Sequence, residues 1–162
     1  MADARIAIFG AGLIGCYIGG LLAAAGRRVT FLARPRIVGE LSANGLTLTD
    51  YAGLNIALPA GSLDLQMNPG CLAGADVILL TVKSRDTAEA ADSILTHGAG
   101  DALVVSLQNG VDNVSLLAER LGRHRVLGAM VPFNVVGKGA GRFRRATSGD
   151  LVLQAGRADI VR

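Results

Sequence analysis

The most constraining feature of the sequence is a short apolar segment, Arg5–Phe9, that leads directly into a glycine-rich turn. Gly10, Gly12 and Gly15 match the pattern G-x-G-x-x-G where a strand is expected to give way to a helix. In such a turn the first glycine permits a tight bend, the second lets the backbone approach a pyrophosphate, and the third lets the helix pack closely on the strand. The helix amino terminus then presents N–H groups and the positive end of its dipole to an anion. The pattern therefore predicts a nucleotide-binding loop.

Two other structures compete with this interpretation, because residues 6–26 carry no charge. A stretch of this length can span a bilayer, with Gly15 and Gly19 as a G-x-x-x-G helix-pairing motif, or serve as a signal peptide with small residues at 23–25. However, each glycine would cost a continuous helix about 1 kcal/mol relative to alanine. Residues 29–32 also form a second β-branched and aromatic segment at the spacing of a strand–helix–strand unit. We therefore favour the nucleotide-binding unit and expect no membrane partner.

The end of the second predicted strand indicates which nicotinamide nucleotide would bind. NAD-binding folds usually place Asp or Glu there, about 20 residues past the glycines, to bond the ribose 2′-hydroxyl. This chain instead has Ala33 and Arg34, followed by Pro35 and Arg36. A guanidinium binds phosphate through a planar bidentate fork, so Arg34 favours NADP over NAD. The alternative is that Arg34 and Arg36 are ordinary solvated loop charges.

Composition is typical of one α/β domain. We expect residues 1–162 to form a single NADP-binding domain, since this length is within the usual range. Hydrophobic residues make up 51% of the chain but Trp is absent, and a core of Val, Ile, Leu and Ala suits parallel strands covered by helices on both faces. The net charge is only +3, and its cations are scattered apart from Arg142, Arg144 and Arg145, which argues against a nucleic-acid partner.

The cysteines and histidines do not form a recognisable reactive or metal-binding group. Cys16 and Cys71 stand alone, which fits a reducing cytoplasm, and Cys16 is expected to be a small buried apolar residue rather than a nucleophile. His97 and His124 have no partners at metal-ligand spacing, so we expect no metal site.

The rest of the chain alternates predicted helices and strands. A helix at residues 37–44 ends at Gly45, and Leu46–Thr49 pairs with residues 54–58 as an inserted hairpin around a turn at 50–53. Residues 59–74 are expected to be a loop with one helical turn. Later helices are expected from a cap at Asp86 or Thr87 to about His97 and over Val111–Leu121, and later strands at residues 76–82, 102–107, 126–136, 142–147 and 150–154. Pro132 is expected to bend the strand at 126–136 or to place part of it at an edge, and a turn at Ser148 and Gly149 separates the last two. These elements predict an α/β, Rossmann-type doubly wound, mostly parallel sheet with an inserted hairpin and antiparallel late strands.

The predicted sheet brings residues from distant parts of the sequence to one crevice. In an open parallel sheet, ligands bind outside the carboxyl ends of the strands, where strand order reverses. Gly10, Lys83 and Asn109 each follow a predicted strand, so we expect them to converge there. For Lys83 and Asn109 the alternatives are a solvated charge and an ordinary Asn-Gly turn.

Four segments, GAGLIGCYIGG, FLAR, LLTVKS and SLQNGV, resemble in order and spacing the ketopantoate reductase (2-dehydropantoate 2-reductase) family. The resemblance covers essentially the whole chain but only the first half of a typical family member. It implies a cytoplasmic oxidoreductase that reduces 2-dehydropantoate to pantoate with NADPH, on the route to pantothenate and coenzyme A.

The same resemblance implies roles for individual residues. Arg34 would hold the 2′-phosphate and Lys83 would contact the cofactor. Asn109 would lie between the nicotinamide ribose and the substrate, and Asn134 would lie on the late strand where the family's backbone approaches the nicotinamide. Lys83 and Asn109 are thus the candidate catalytic residues. The cofactor-binding loop would consist of Gly10, Ala11, Gly12, Leu13, Ile14 and Gly15.

Family members continue into a helical domain that supplies a general-acid Lys, further substrate-binding Asn residues and a Glu. Hydride transfer to a ketone leaves an alkoxide that needs a proton, and this chain has no clear donor. We therefore expect cofactor binding without efficient turnover, a small 2-keto acid substrate and a missing C-terminal helical domain as partner, with a homodimer possible through exposed apolar surface. The alternatives are another two-domain NADP-dependent 2-keto or 2-hydroxy acid dehydrogenase, and a non-catalytic NADP-sensing module.

Overall fold

The structure, a computed structural model, describes residues 4–155. Its α-helices are α1 (Leu13–Ala24), α2 (Pro35–Asn44), α3 (Thr87–His97) and α4 (Val111–Leu121). Its strands are β1 (Arg5–Phe9), β2 (Arg28–Leu32), β3 (Leu46–Thr49), β4 (Asn55–Leu58), β5 (Asp64–Gln66), β6 (Val77–Leu80), β7 (Leu103–Ser106), β8 (Val126–Met130), β9 (Val135–Gly139), β10 (Arg142–Arg145) and β11 (Val152–Leu153). Short 3-10 turns occur at Ala60–Ser62, Pro69–Gly74, Ser84–Asp86 and Arg123–Arg125.

The larger sheet has seven strands in the order β11-β8-β7-β6-β1-β2-β5. All neighbouring pairs are parallel except β11 with β8. Strand order reverses at β1, because the chain proceeds through β2 and β5 on one side of it and through β6, β7 and β8 on the other. This arrangement confirms the predicted Rossmann-type doubly wound sheet. It also places the crevice of such a fold at the carboxyl end of β1.

A smaller sheet in the order β4-β3-β10-β9 joins the inserted hairpin to the late strands. The hairpin of β3 and β4 is antiparallel, as predicted, and β10 lies parallel to β3 and antiparallel to β9. In the hairpin turn the Asp50 carboxylate accepts the N–H groups of Leu54 and Ala52, each at 2.8 Å. These backbone hydrogen bonds hold the pKa of Asp50 below its usual range.

Helix α1 lies between the two sheets. Along β6, alternate residues face opposite sides, so Ile78 and Leu80 enter a core covered by α3 and α4 while Leu79 packs toward the α1 side. The core on the α1 side contains fully or almost fully buried residues from both sheets, namely Ile8, Phe31, Leu46, Leu48 and Phe143.

Two glycines let α1 approach both sheets. A Cβ on Gly19 would lie 2.6 Å from Phe31 Cε1 and 2.7 Å from Ile8 Cγ1, and a Cβ on Gly20 would lie 2.7 Å from Leu46 Cδ2. The glycine-rich segment is thus a strand, a turn and a twelve-residue helix, as predicted, rather than one continuous helix. Within residues 4–155, no helix is both long and apolar enough to cross a membrane.

The strand predicted over residues 126–136 is interrupted at Pro132, where a bend or an edge was expected, but its two halves do not belong to one sheet as predicted. The segment forms β8 in the larger sheet and β9 in the smaller one, separated by four residues that include Pro132. Proline lacks the N–H that a strand pairs with, and the chain changes sheets there. Apolar composition alone did not show this change, because both halves are apolar.

Two further differences involve sheet edges. Residues 59–74 contain β5 as well as 3-10 turns, and this three-residue strand is too short and polar to give a strand pattern. The last two predicted strands exist as β10 and β11 but are shorter than expected, and they belong to different sheets. Strand β11 pairs with β8 in the antiparallel direction, as predicted for the late strands.

The packing of α1 predicts opposite effects for two Gly→Ala substitutions in helices. Gly19→Ala gains helix propensity but forces a methyl group into buried Phe31 and Ile8, so we expect a net loss of about 1–3 kcal/mol in the free energy of unfolding. Gly39→Ala in α2 is the control: its Cβ would meet nothing within 4 Å, so we expect a gain of up to about 1 kcal/mol. Urea unfolding of both variants tests this. A Gly19→Ala variant as stable as the original protein would contradict the packing argument.

Candidate functional site

The glycine-rich loop is fixed tightly on the sheet side. Gly10 has φ +93°, and the N–H groups of Gly10 and Ala11 both donate to the Leu32 carbonyl at 3.1 Å. A Cβ on Gly10 would lie 2.6 Å from Val82 Cγ1, and one on Gly15 would lie 2.6 Å from Thr81 Oγ1. Both positions therefore require glycine, for the turn and for close packing respectively.

On its other side the loop is open. A Cβ on Gly12 would meet nothing nearer than the Gly10 carbonyl oxygen at 3.8 Å. Gly12 is the N-cap of α1 and has no side chain to bond the first turn, where Leu13, Ile14 and Gly15 have no intrahelical acceptor for their N–H groups. The first turn also contains no acidic residue. Space, N–H donors and the helix dipole together suit an anion such as a pyrophosphate.

Lys83 and Asn109 lie at the same edge, as the sequence predicted. They follow β6 and β7, and β6 is the neighbour of β1. The Asn109 carbonyl accepts hydrogen bonds from Ser84 Oγ at 3.3 Å and from Asn113 Nδ2 at 2.8 Å, so the two loops are joined. The side chains of Lys83 and Asn109 remain exposed. A fixed backbone therefore carries two side chains that are accessible to a ligand.

A buried polar network beneath these loops was not predicted from the sequence. Gln108 is 8% exposed; its Nε2 donates to the Val82 carbonyl at 3.0 Å and to Thr87 Oγ1 at 2.8 Å, and its Oε1 accepts from Ser106 Oγ at 3.1 Å. Thr87, which is fully buried, also lies 3.0 Å from Asn113 Oδ1.

The network links the end of β6, the start of α3 and the start of α4. Asn113 Nδ2 completes it by donating to Ser84 Oγ at 2.9 Å. A sequence signal for it existed: Gln108 ends an apolar strand, and Asn113 stands four residues after Asn109 on the inner side of a helix start. Buried polar groups need partners, so these residues hold the two loops in one arrangement.

Arg34 stands at the end of β2, on the other side of β1. Its side chain is 78% exposed, and Nη2 lies 3.4 Å from Asp86 Oδ2. Asp86 also contacts Arg85, with 3.5 Å between Nε and Oδ1. The neighbouring Arg36 instead pairs with Glu40 of its own helix at 3.2 Å. Of the two arginines considered from the sequence, Arg34 is thus the one directed toward the loop that follows β6.

Asn134 lies beyond the carboxyl end of β8, in the segment that leads to β9. Its N–H donates to Thr147 Oγ1 at 2.9 Å, its carbonyl accepts from the Ala146 N–H at 2.8 Å, and its side chain is exposed. In the described part of the chain it makes no hydrogen bond to Lys83 or Asn109. The structure therefore places it at the same edge of the sheet without joining it to them.

The cysteines have an environment that opposes reactivity. Cys16 is fully buried in α1, and burial raises the pKa of its thiol to about 12. Burial also raises the pKa of the partly exposed Cys71. Because the thiolate is the nucleophile, Cys16 acts as a small apolar residue at neutral pH. Among residues 4–155, no three His, Cys, Asp or Glu side chains form a group that could hold a metal ion.

Comparison with known proteins shows which family this sequence matches. Residues 6–158 match the family model described as ketopantoate reductase PanE/ApbA. The chain is 30% identical over 154 residues to a 2-dehydropantoate 2-reductase of Halobacterium salinarum, covering 92% of the chain and 48% of that protein. It is 38% identical over 119 residues to the enzyme of the same name from Pyrococcus horikoshii, covering 74% of the chain and 37% of that protein.

A solved structure gives the same result. The PanE/ApbA family ketopantoate reductase from Ralstonia eutropha JMP134 superposes with a TM-score of 0.82 at 38% identity, over 92% of this chain and 48% of that one. The chain thus spans about half of the Halobacterium salinarum protein, or less than half in the case of the Pyrococcus horikoshii protein.

The buried network predicts a specific cost for losing one hydroxyl. Thr87→Val keeps the shape but removes the hydroxyl that donates to Asn113 Oδ1 and is one of the two acceptors of Gln108 Nε2, so we expect a loss of about 1–3 kcal/mol in the free energy of unfolding. Hydrogen–deuterium exchange should also rise in the loops at residues 83–86 and 108–110. Thr87→Ser retains the hydroxyl and should leave this local exchange unchanged. Unaltered stability and exchange in Thr87→Val would show that the network does not fix these loops.

Proposed function

The chain belongs to the ketopantoate reductase PanE/ApbA family, a family of oxidoreductases, and from this premise we propose that it binds NADPH for the reduction of 2-dehydropantoate to pantoate. The observation that carries the proposal is the open, uncapped glycine loop with Arg34 on one side of it and Lys83 and Asn109 on the other. We further propose that residues 1–162 act as one nucleotide-binding domain of a cytoplasmic enzyme.

The residues fit a dinucleotide whose two halves meet at a pyrophosphate. The pyrophosphate would lie against the first turn of α1, where Gly12 leaves room for it. The adenosine half would then lie toward the end of β2, with its 2′-phosphate on Arg34. The nicotinamide half would lie toward the ends of β6, β7 and β8, where Lys83, Asn109 and Asn134 are placed.

Bound NADPH would supply a hydride to the carbonyl carbon of the 2-keto acid, and the carbonyl oxygen would take a proton. Asn109 offers an exposed amide that can both donate and accept hydrogen bonds, which suits orienting the ribose and the keto group. Lys83 offers an ammonium that suits the cofactor or the substrate carboxylate. Because the buried network fixes both loops, neither side chain depends on a mobile backbone.

The remaining chemistry needs a proton donor and a wall that positions the substrate. We propose that a domain corresponding to the other half of the matched relatives supplies both. On this view Lys83 and Asn109 contribute contacts, while efficient protonation requires a positioned acid outside the described residues.

The cofactor assignment predicts a selective effect of Arg34→Ala. Losing a charged hydrogen-bonding partner of the 2′-phosphate should weaken NADPH binding by about 10-fold or more and leave NADH binding nearly unchanged. Arg36→Ala is the matched control, because Arg36 pairs with Glu40 within α2. Calorimetric titration with both nucleotides measures this. Equal losses for NADPH and NADH, or an equal effect of Arg36→Ala, would contradict a 2′-phosphate role for Arg34.

Catalysis by the 162-residue chain alone is expected to be poor even where NADPH binds. With 2-dehydropantoate and NADPH, we expect turnover at least about 100-fold below a typical enzyme rate of about 10 per second. NADPH absorbance follows the reaction, and a binding titration of the same sample establishes that the protein is folded. Turnover at ordinary enzyme rates would show that these residues already include the proton donor.

A further inference from the structure

The ion pair between Arg34 and Asp86 crosses the strand that carries the glycine loop. Arg34 follows β2 and Asp86 follows β6, and these strands lie on either side of β1. The two residues are 52 positions apart in sequence, yet Arg34 Nη2 and Asp86 Oδ2 are 3.4 Å apart. The pair therefore lies at the position proposed for the adenosine ribose.

The carboxylate of Asp86 is held more firmly than the guanidinium. The Asp86 side chain is 29% exposed against 78% for Arg34. The Asp86 N–H donates to the Lys83 carbonyl at 2.8 Å, and the Ser84 carbonyl in the same 3-10 turn accepts from Thr87 Oγ1 at 2.8 Å. Asp86 occupies the N-cap of α3 but its side chain makes no capping hydrogen bond. Its oxygens are instead directed to Arg34 and Arg85.

We infer that Asp86 is a specificity-determining residue that competes with the 2′-phosphate for Arg34 and thereby reduces the preference for NADPH over NADH. This inference rests on the proposed function. A phosphate that binds Arg34 must displace or approach a carboxylate of the same sign, which costs free energy. A ribose 2′-hydroxyl carries no charge and meets no such cost, and a carboxylate at this position can accept its hydrogen bond.

Ordering of the Arg34 side chain by Asp86 would act in the opposite direction, because an ordered guanidinium binds a phosphate at a lower entropic cost. The geometry favours competition for two reasons. The pair is largely exposed on the Arg34 side, so ordering by it contributes little. In addition, Arg34, Arg85 and Asp86 together carry a net charge of only +1, because the Asp86 carboxylate offsets one of the two guanidinium groups that it contacts. A bound 2′-phosphate carries nearly two negative charges, so this net charge compensates it only in part.

Asp86→Asn tests the inference, because asparagine has nearly the same shape and is an equally good N-cap residue. In calorimetric titrations at about 0.05 M salt, we expect NADPH affinity to rise about three- to ten-fold, with NADH affinity unchanged or lower. Asp92→Asn is the control, since it also removes one negative charge, from within α3, at a residue paired with Arg120 of α4. It should leave both affinities within about two-fold.

Two further readouts separate competition from other effects. The gain in NADPH affinity should shrink by at least half in an Arg34→Ala background, and it should shrink as salt rises to about 0.5 M. The inference would be overturned if the NADPH/NADH affinity ratio stayed the same or fell in Asp86→Asn. It would also be overturned if the gain in NADPH affinity were undiminished both in the Arg34→Ala background and at high salt. In either case, NADPH binding by the original protein would still support the proposed function. Binding of neither nucleotide by the original protein would overturn both.

Discussion

The structure depends on the close approach of α1 to two sheets at once. Gly19 admits Phe31 and Ile8 of the larger sheet, and Gly20 admits Leu46 and Leu48 of the smaller one. With side chains at these positions the helix would have to move away from one sheet or the other, since neighbouring atoms lie within 2.8 Å of each added Cβ. The same helix begins at the glycine loop. The packing that builds the core therefore also fixes where the N–H groups of its first turn point.

The constraint on α1 also explains the role of the inserted hairpin. Strands β3 and β4 on their own would form a two-stranded ribbon, which is marginal without a third strand or a packed face. They obtain both, because β10 pairs with β3 and α1 covers Leu46 and Leu48. The chain leaves the larger sheet at Pro132 to supply β9 and β10. The segment containing Asn134 is thus the connection between the sheets, and it follows β8 at the edge where the candidate site lies.

Local sequence patterns predicted the parts of the fold that local interactions determine. Each of these parts has a local signal in the sequence: a continuous apolar segment at β1, β6 and β7, the glycine pattern at the turn, and the helical spacing of apolar residues in α4. The second sheet does not, because the pairing of β10 with β3 joins residues almost 100 positions apart. Strand β5 is three residues long and owes its conformation to β2 beside it. Likewise, the common location of Lys83 and Asn109 could be predicted because a parallel sheet orders its strand ends. The network of Gln108, Thr87 and Asn113 was missed, because it consists of contacts between elements and its sequence signal is weak.

The charges around Arg34 also could not be predicted from a local sequence motif. The sequence rule for choosing between NAD and NADP considers one position, the end of β2, where Arg34 stands. In the folded chain the loop after β6 also reaches that position, since β2 and β6 both flank β1 and Asp86 Oδ2 lies 3.4 Å from Arg34 Nη2. Asp86 enters from that loop and meets the guanidinium. The electrostatic environment of Arg34 is therefore set jointly by two segments 52 residues apart, and on the function proposed here its attraction for a 2′-phosphate depends on the carboxylate opposite it.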